Sequence, residues 1–209
     1  MRLYYSETPN PRKACAVAKH TGAPVEYVRV ELAKGEHKQP AYLAVNPNGK
    51  TPALEDGNIH LWEAHAIMAY VALKAGSDLW PKDPVAQIEV MKWLNWDTAH
   101  FSRHAGRLWF QRFLKGAIGA GDPDAAEIED ATGFFLQFAG VLNDYLKGKG
   151  HLVGNRLTIA DFGVATFMPL ADQAELPLAE FGEVRRWADG LMELDAWRHP
   201  WPTEFSALG

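Results

Sequence analysis

The residues able to do chemistry fall into a few short segments. The first is Ser6-Glu7-Thr8-Pro9-Asn10-Pro11, which places two hydroxyls and an amide just ahead of an alanine-rich run. If that run is a helix, its unpaired N–H groups and the positive end of its dipole point into this loop and stabilise an anion, including a thiolate. The same residue types also serve as ordinary helix N-caps. The second segment is Asn48-Gly49-Lys50-Thr51-Pro52-Ala53, where Pro52 opens an apparent strand. A proline there is either an edge residue in trans or the site of a cis bond that exposes the Thr51 backbone to an extended peptide.

Two smaller features complete the set. Glu63 stands where a hairpin gives way to a helix, with Ala64 behind it. A carboxylate there binds a ligand ammonium, while the N–H groups behind it bind a carboxylate; a glutamate placed for the helix dipole is the plainer reading. Gly35-Glu36-His37-Lys38 is a polar loop with two cationic groups, which solvation alone also explains. Further on, His100, Arg103 and His104 lie near Trp109 and Phe110. His100 and His104 are four apart, on one helical face, as a metal pair would be, but no third ligand is evident nearby and no metal is expected.

The elements that must position these residues follow from pattern. Leu3–Tyr5 reads as a strand, Arg12–His20 as a helix closed by Gly22, and Val25–Leu32 as a second strand rich in β-branched residues. A short helix is expected over Gln39–Val45. A hairpin is expected over 51–62, with Asp56-Gly57 as its loop, and then a helix over Glu63–Lys74. Strand, helix, strand and then hairpin imply a mixed sheet with helices on its faces. Residues 77–84, with Pro81 and Pro84, read as a linker. Beyond it the periodicity is helical, over 85–115, 125–146, 158–170 and 183–194. The expected division is therefore 1–76 as an α/β domain and 85–209 as an all-α domain.

Composition narrows the class. Of 209 residues, 47% are hydrophobic and 22% charged, which suits a folded globular chain. The net charge is −5 and there is no basic block, so nucleic acid is not an expected partner. One cysteine, Cys15, rules out an intramolecular disulfide and reads as a buried apolar residue. The N-terminus lacks the apolar core of a signal peptide and no run is long enough to span a membrane, so a cytoplasmic location is expected.

Taken in order and spacing, Leu3–Ala72 resembles the glutathione-binding domain of the glutathione S-transferases. The stretch from Gly35 to Gly57 is similar to the phi class and related bacterial members, and Thr8-Pro9-Asn10 to the nu class. Leu152–Asp161, ending Thr158-Ile159-Ala160-Asp161, resembles the family's cap-box segment. The resemblance spans about 170 of the 209 residues.

It implies a thioredoxin-like N-terminal domain followed by an all-α C-terminal domain. Pro52 would be a cis-proline, with the Thr51 backbone pairing with the cysteinyl part of glutathione. His37, Lys38 and Lys50 would surround the glycyl carboxylate, while Glu63 and Ala64 would take the γ-glutamyl end. Thr158 and Asp161 would form a structural cap. Thr8 and Asn10 would favour the thiolate, with Ser6 as the other nearby hydroxyl. The electrophile would lie against the first long helix of the second domain, near Arg103 and His104. Members usually form two-fold dimers.

Two departures stand out. Ala64 replaces the family's usual serine and loses one hydroxyl, in a setting where a hydrogen bond to a charged group is worth about 1.5–3 kcal/mol. The catalytic position also departs: many members use Tyr, Ser or Cys near the end of strand one, whereas here the best-aligned hydroxyl is Thr8, with Ser6 closer to the strand and Asn10 near the Cys of the beta class. The expected activity is conjugation of glutathione to small electrophiles. Glutathione-dependent disulfide reduction and ligand binding without catalysis are the alternatives.

Overall fold

The fold was analysed in a computed structural model that describes residues 1–202. The elements are β1 (Arg2–Tyr5), α1 (Pro9–Thr21), β2 (Glu26–Arg29), α2 (Pro40–Leu43), β3 (Ala53–Asp56), β4 (Ile59–Trp62), α3 (Ala64–Lys74), α4 (Pro84–Trp96), α5 (Ser102–Trp109), α6 (Lys115–Ala117), α7 (Ala125–Leu146), α8 (Ile159–Val164), α9 (Gly182–Met192) and α10 (Asp195–Arg198). They form two compact units, Asp83–Met192 and a unit made of Met1–Lys82 with the described residues from Glu193 on. The sequence places residues 193–202 with the helical domain; the structure groups them with the first unit.

The first unit is built on a four-stranded sheet in the order β2-β1-β3-β4. β1 pairs parallel with β2 and antiparallel with β3, and β3 pairs antiparallel with β4. Strand alternation divides the core between the two faces of this sheet. Tyr4, Val30, Tyr42, Val45 and Ala53 cluster on the face covered by α2. Leu3 and Leu54 pair across β1 and β3 and are fully buried, as are Val17 of α1 and Ile67, Met68 and Val71 of α3.

Several boundaries differ from the sequence reading for local reasons. α1 starts at Pro9 rather than Arg12, because proline is at ease in the first turn, where its missing N–H has no intrahelical role. The hairpin loop is Gly57-Asn58, one residue later than Asp56-Gly57, since Asp56 pairs with Ile59. Gly57 supplies the positive φ, 62°, that this tight turn needs. Asp56 then anchors α3, accepting from the Tyr70 hydroxyl at 2.8 Å and facing Lys74 at 3.0 Å.

The closing segment straps α1. The Arg12 guanidinium donates to the Trp197 carbonyl at 2.5 Å and lies over the fully buried Trp197 ring. Lys19 donates to the His199 carbonyl at 2.8 Å and pairs with Asp195 at 3.0 Å, while Trp201 stacks on Tyr5.

The second unit is helical among the described residues. From Pro84 to Ala117 the chain is nearly continuous helix, with two π-helical turns, Asp97–Phe101 and Phe110–Leu114. α5 packs on α7, α7 on α9, and α4 on α8. α8 ends at Val164, well before the expected 170. The Thr166 hydroxyl turns back onto the Gly163 carbonyl, and Pro169 cannot continue the ladder. The segment Thr158–Asp161 is a complete capping box.

Candidate functional site

The first unit contains a cleft of about 280 Å³ lined by Asn10, Asn46, Asn48, Lys50, Thr51, Pro52, Glu63 and Ala64. Six of these were singled out from sequence: Asn10, Lys50, Thr51, Pro52, Glu63 and Ala64. The Thr51–Pro52 bond is cis. Both residues lie beyond the last β1–β3 pair, Tyr4 with Ala53, so the Thr51 backbone stands outside the ladder. An extended peptide can therefore pair with it as a strand would.

Asn46 was not foreseen, and Asn48 entered only as the first residue of the Asn48–Ala53 segment. Asn46 is buried, and its Nδ2 donates to the Lys50 carbonyl at 2.6 Å, which the Tyr42 hydroxyl also reaches at 2.6 Å. Its Oδ1 accepts from the Asn48 backbone and side chain, each at 3.0 Å. These bonds fix the turn that presents Lys50 and Thr51. The Asn46-Pro47-Asn48-Gly49 turn was the available signal, since asparagine side chains commonly close such turns. Gly49 is required here: its φ is 58°, and a Cβ would lie 2.9 Å from the His37 carbonyl.

Glu63 and Ala64 open α3. Glu63 has φ 71° and ψ 117°, a region that L-residues avoid, and its side chain makes no capping bond. The N–H groups of Ala64 and the next two residues lack intrahelical acceptors. One cleft thus offers a cation at Lys50, an unladdered backbone edge at Thr51, and a carboxylate beside helix N–H donors at Glu63 and Ala64. That set is complementary to a small peptide carrying an ammonium and carboxylates.

The remaining candidates lie off this cleft. Thr8 is the N-cap residue of α1 by backbone geometry, yet its hydroxyl makes no capping bond and meets the Ser6 hydroxyl at 3.2 Å. Ser6 is buried and bonded to the Thr51 hydroxyl at 2.6 Å, so Thr8 is linked to the cleft through Ser6. Pro9 and Pro11 remove two of the first three N–H donors of α1 and leave that of Asn10. His37 and Lys38 sit in a 3-10 turn. The Lys38 ammonium approaches the Gly49 carbonyl at 3.5 Å, and His37 Nδ1 is buried without a hydrogen-bond partner among the described residues. Cys15 is fully buried, and burial pushes its thiol far above the ordinary range.

Between α1 and α3, the Lys13 ammonium lies 2.9 Å from His65 Nε2. Burial, and secondarily the Lys13 charge, hold His65 well below the usual histidine range. His65 thus stays neutral in the folded protein, while in the unfolded chain it protonates as pH falls through about 6.5. The unfolded state then binds the extra proton. Stability is therefore full above about pH 6.5 and declines below it by about 1.4 kcal/mol per pH unit. His20 and His104 are shifted in the same direction and add to the slope. Chemical unfolding at several pH values, comparing wild type with His65→Asn, isolates this share; equal slopes would refute it.

In the second unit, Arg103 and His104 line a separate open groove between α5 and α7 with His100, Arg107 and Phe134. His104 is buried, stacks on Phe134, and its Nδ1 meets Arg107 at 3.0 Å; Arg107 in turn pairs with Glu127 and Asp130, each at 2.6 Å. His100 stacks on Phe138. The two histidines are thus engaged with α7 rings, and no group of three possible metal ligands occurs among the described residues.

A thioredoxin-like sheet with a cis-proline cleft, followed by a helical unit, defines a class that comparison bears out. Residues 1–73 match the family model for the glutathione S-transferase N-terminal domain, and residues 108–195 match that for its C-terminal domain. Glutathione S-transferase 3 of Zea mays is 34% identical over 192 residues, covering 88% of this chain and 85% of the relative. The solved structure of glutathione S-transferase III in apo form superposes with a TM-score of 0.82 at 30% identity, covering 95% of this chain and 94% of that one. Ure2p in complex with S-hexylglutathione gives a TM-score of 0.84 at 26% identity, covering 95% and 96%. The chain belongs to the glutathione S-transferase family. No helix among the described residues is long and apolar enough to cross a membrane.

Proposed function

We propose that the chain is a glutathione transferase that conjugates the glutathione thiolate to small electrophiles. The observation that carries this reading is the single cleft holding Lys50, the Thr51–Pro52 edge, Glu63 and Ala64. In this reading the Thr51 backbone pairs with the cysteinyl residue. Lys50, with His37 and Lys38 nearby, takes the glycyl carboxylate. Glu63 binds the γ-glutamyl ammonium and the Ala64 N–H its carboxylate. A free thiol with a pKa of about 8.5 is only a few per cent ionised at neutral pH. Asn10, which lines the cleft and keeps its N–H in the first turn of α1, favours the anion, and Thr8 supports it through the hydroxyl chain. Arg103 and His104 are assigned to the electrophile.

The acting form is proposed to be a cytoplasmic homodimer. Ile59, Trp62 and Leu73 leave 41–62% of their surface exposed in the first unit. Val85, Ile88 and Met91, spaced three apart on α4, leave 51–67% exposed in the second. Apolar faces of that kind are ordinarily covered by another chain.

Isothermal titration with reduced glutathione tests the site, followed by an absorbance assay with an activated aryl halide. Saturable binding is expected. Lys50→Ala should weaken it about threefold, the yield of one solvent-exposed charge contact. Absence of binding at millimolar glutathione would reject the assignment. A second reading, binding without conjugation, draws on Thr8 lying off the cleft and on the two prolines in the first turn of α1. Binding with no conjugation would favour it, and turnover of a small disulfide alone would favour the reductase.

A further inference from the structure

We propose that the closing segment, residues 193–202, is a positioning strap that holds the start of α1 where it favours the glutathione thiolate, a role that rests on the glutathione reading above. Asn10, which lines the cleft, lies in the short stretch from Ser6 to Pro11. The closing segment grips the chain on both sides of that stretch. On one side Trp201 stacks on Tyr5, the last residue of β1, with ring centroids 5.8 Å apart and planes 20° from parallel. On the other, the Arg12 guanidinium donates to the Trp197 carbonyl at 2.5 Å and lies 5.3 Å from the centre of the Trp197 ring. Farther along α1, Lys19 reaches the His199 carbonyl and the Asp195 carboxylate.

The start of α1 does little to hold itself. Thr8 makes no side-chain capping bond, and Pro9 and Pro11 bring no N–H. The first main-chain bond of the helix runs from the Arg12 N–H to the Thr8 carbonyl, at 3.1 Å. Helix starts without a side-chain cap are prone to fray. Ser6 is tied to the Thr51 hydroxyl and Glu7 to Arg29, each at 2.6 Å, but both residues precede the helix.

Arg12 turns the strap into a restraint on this first turn. Its guanidinium is half-buried against Trp197, and burial pulls its pKa down to about 10. Such burial is costly, and an apolar side chain could pack α1 on α10 without that cost. What the guanidinium adds is direction: bonded to a carbonyl and laid over an indole, it fixes how the turn lies. No tyrosine, serine or cysteine lines the cleft. The Asn10 N–H and the dipole of α1 therefore carry the stabilisation of a thiolate on this side of it, and both depend on where the first turn lies.

The test titrates bound glutathione by its thiolate absorbance in wild type, Arg12→Met, Trp201→Ala and Trp201→Phe, with S-methylglutathione binding measured calorimetrically alongside. Arg12→Met removes the bond to the Trp197 carbonyl, and Arg12→Gln takes its place should Met fail to fold. Trp201→Ala removes the stack without changing any charge, and Trp201→Phe keeps a ring there. Arg12→Met and Trp201→Ala are each expected to raise the bound thiol's pKa by about half a unit, roughly threefold in ionisation constant, the effect of one helix terminus on a nearby charge. Trp201→Phe should stay near wild type. S-methylglutathione affinity should hold throughout, since Lys50, Thr51 and Glu63 lie outside α1 and the strap. A thiol titration that Trp201→Ala leaves in place overturns the proposal even where Arg12→Met moves it, since Arg12 would then act by charge alone. An equal loss of S-methylglutathione affinity also overturns it, because the strap would then shape the cleft as a whole. If wild type binds neither ligand, the glutathione reading itself fails and the strap loses its assigned role.

Discussion

Asp161→Ala will lower the stability of the folded chain by about 4 kcal/mol, as the loss of a buried carboxylate that holds several donors. Asp161 is fully buried. It accepts from the backbone N–H of Leu152 at 3.0 Å and of Thr158 at 2.9 Å, and from the Trp187 indole N–H at 3.0 Å. The Thr158 hydroxyl approaches at 3.3 Å and His151 Nδ1 at 3.6 Å. One side chain therefore ties the loop before α8, the start of α8 and α9 together. Alanine leaves three buried N–H groups without an acceptor, each costing about 1–3 kcal/mol, partly recovered by relaxation or entry of water. Asp161→Asn keeps an acceptor oxygen but turns an NH2 toward donors, and about half the loss is expected. Urea unfolding followed by tryptophan fluorescence reads both, at unchanged slope against denaturant. A loss under 1 kcal/mol for the alanine variant would show that the carboxylate is dispensable and sink the prediction.

This box was legible because it is local: Thr158 and Asp161 are three apart and their types state their use. The order of elements was legible for the same reason. β1 through α3 announce themselves by β-branched runs, a Gly-containing hairpin and helical periodicity. The cleft was legible only through the family resemblance, carried by the order and spacing of Thr51-Pro52 and Glu63. What escaped the sequence depends on partners distant in the chain. Lys13 and His65 are 52 residues apart, and nothing in a helical lysine reports that it will be buried. Arg12 and Trp197 are 185 apart, so the strap that returns the chain's end to α1 has no local mark. The hairpin loop moved by one residue because the β1–β3 and β3–β4 registers decide which residue still pairs, and Asp56 does. Thr8 shows the converse. Its type and place fit an N-cap, yet its hydroxyl meets Ser6, which itself bonds Thr51.

Glu63→Gly is expected to stabilise the protein while removing most of its affinity for glutathione. Glu63 sits at φ 71° and ψ 117°, and a side chain in such a region costs about 1–3 kcal/mol. Glycine, lacking Cβ, relieves that cost and gives back roughly 0.5–1 kcal/mol in lost chain freedom, a net gain of about 1 kcal/mol. The side chain makes no capping bond in the free protein, so little is lost on its removal. In the complex the proposed bond to the γ-glutamyl ammonium is charge-assisted. Its loss is worth about 2.3 kcal/mol, or roughly fiftyfold in affinity. Opposite signs for stability and binding would indicate that the strained backbone aims the carboxylate at a ligand and serves no purpose in folding. Thermal unfolding and calorimetric titration of the same preparation decide it. Glutathione affinity within threefold of wild type would remove Glu63 from the site, and a loss of stability would mean that its backbone conformation carries no strain.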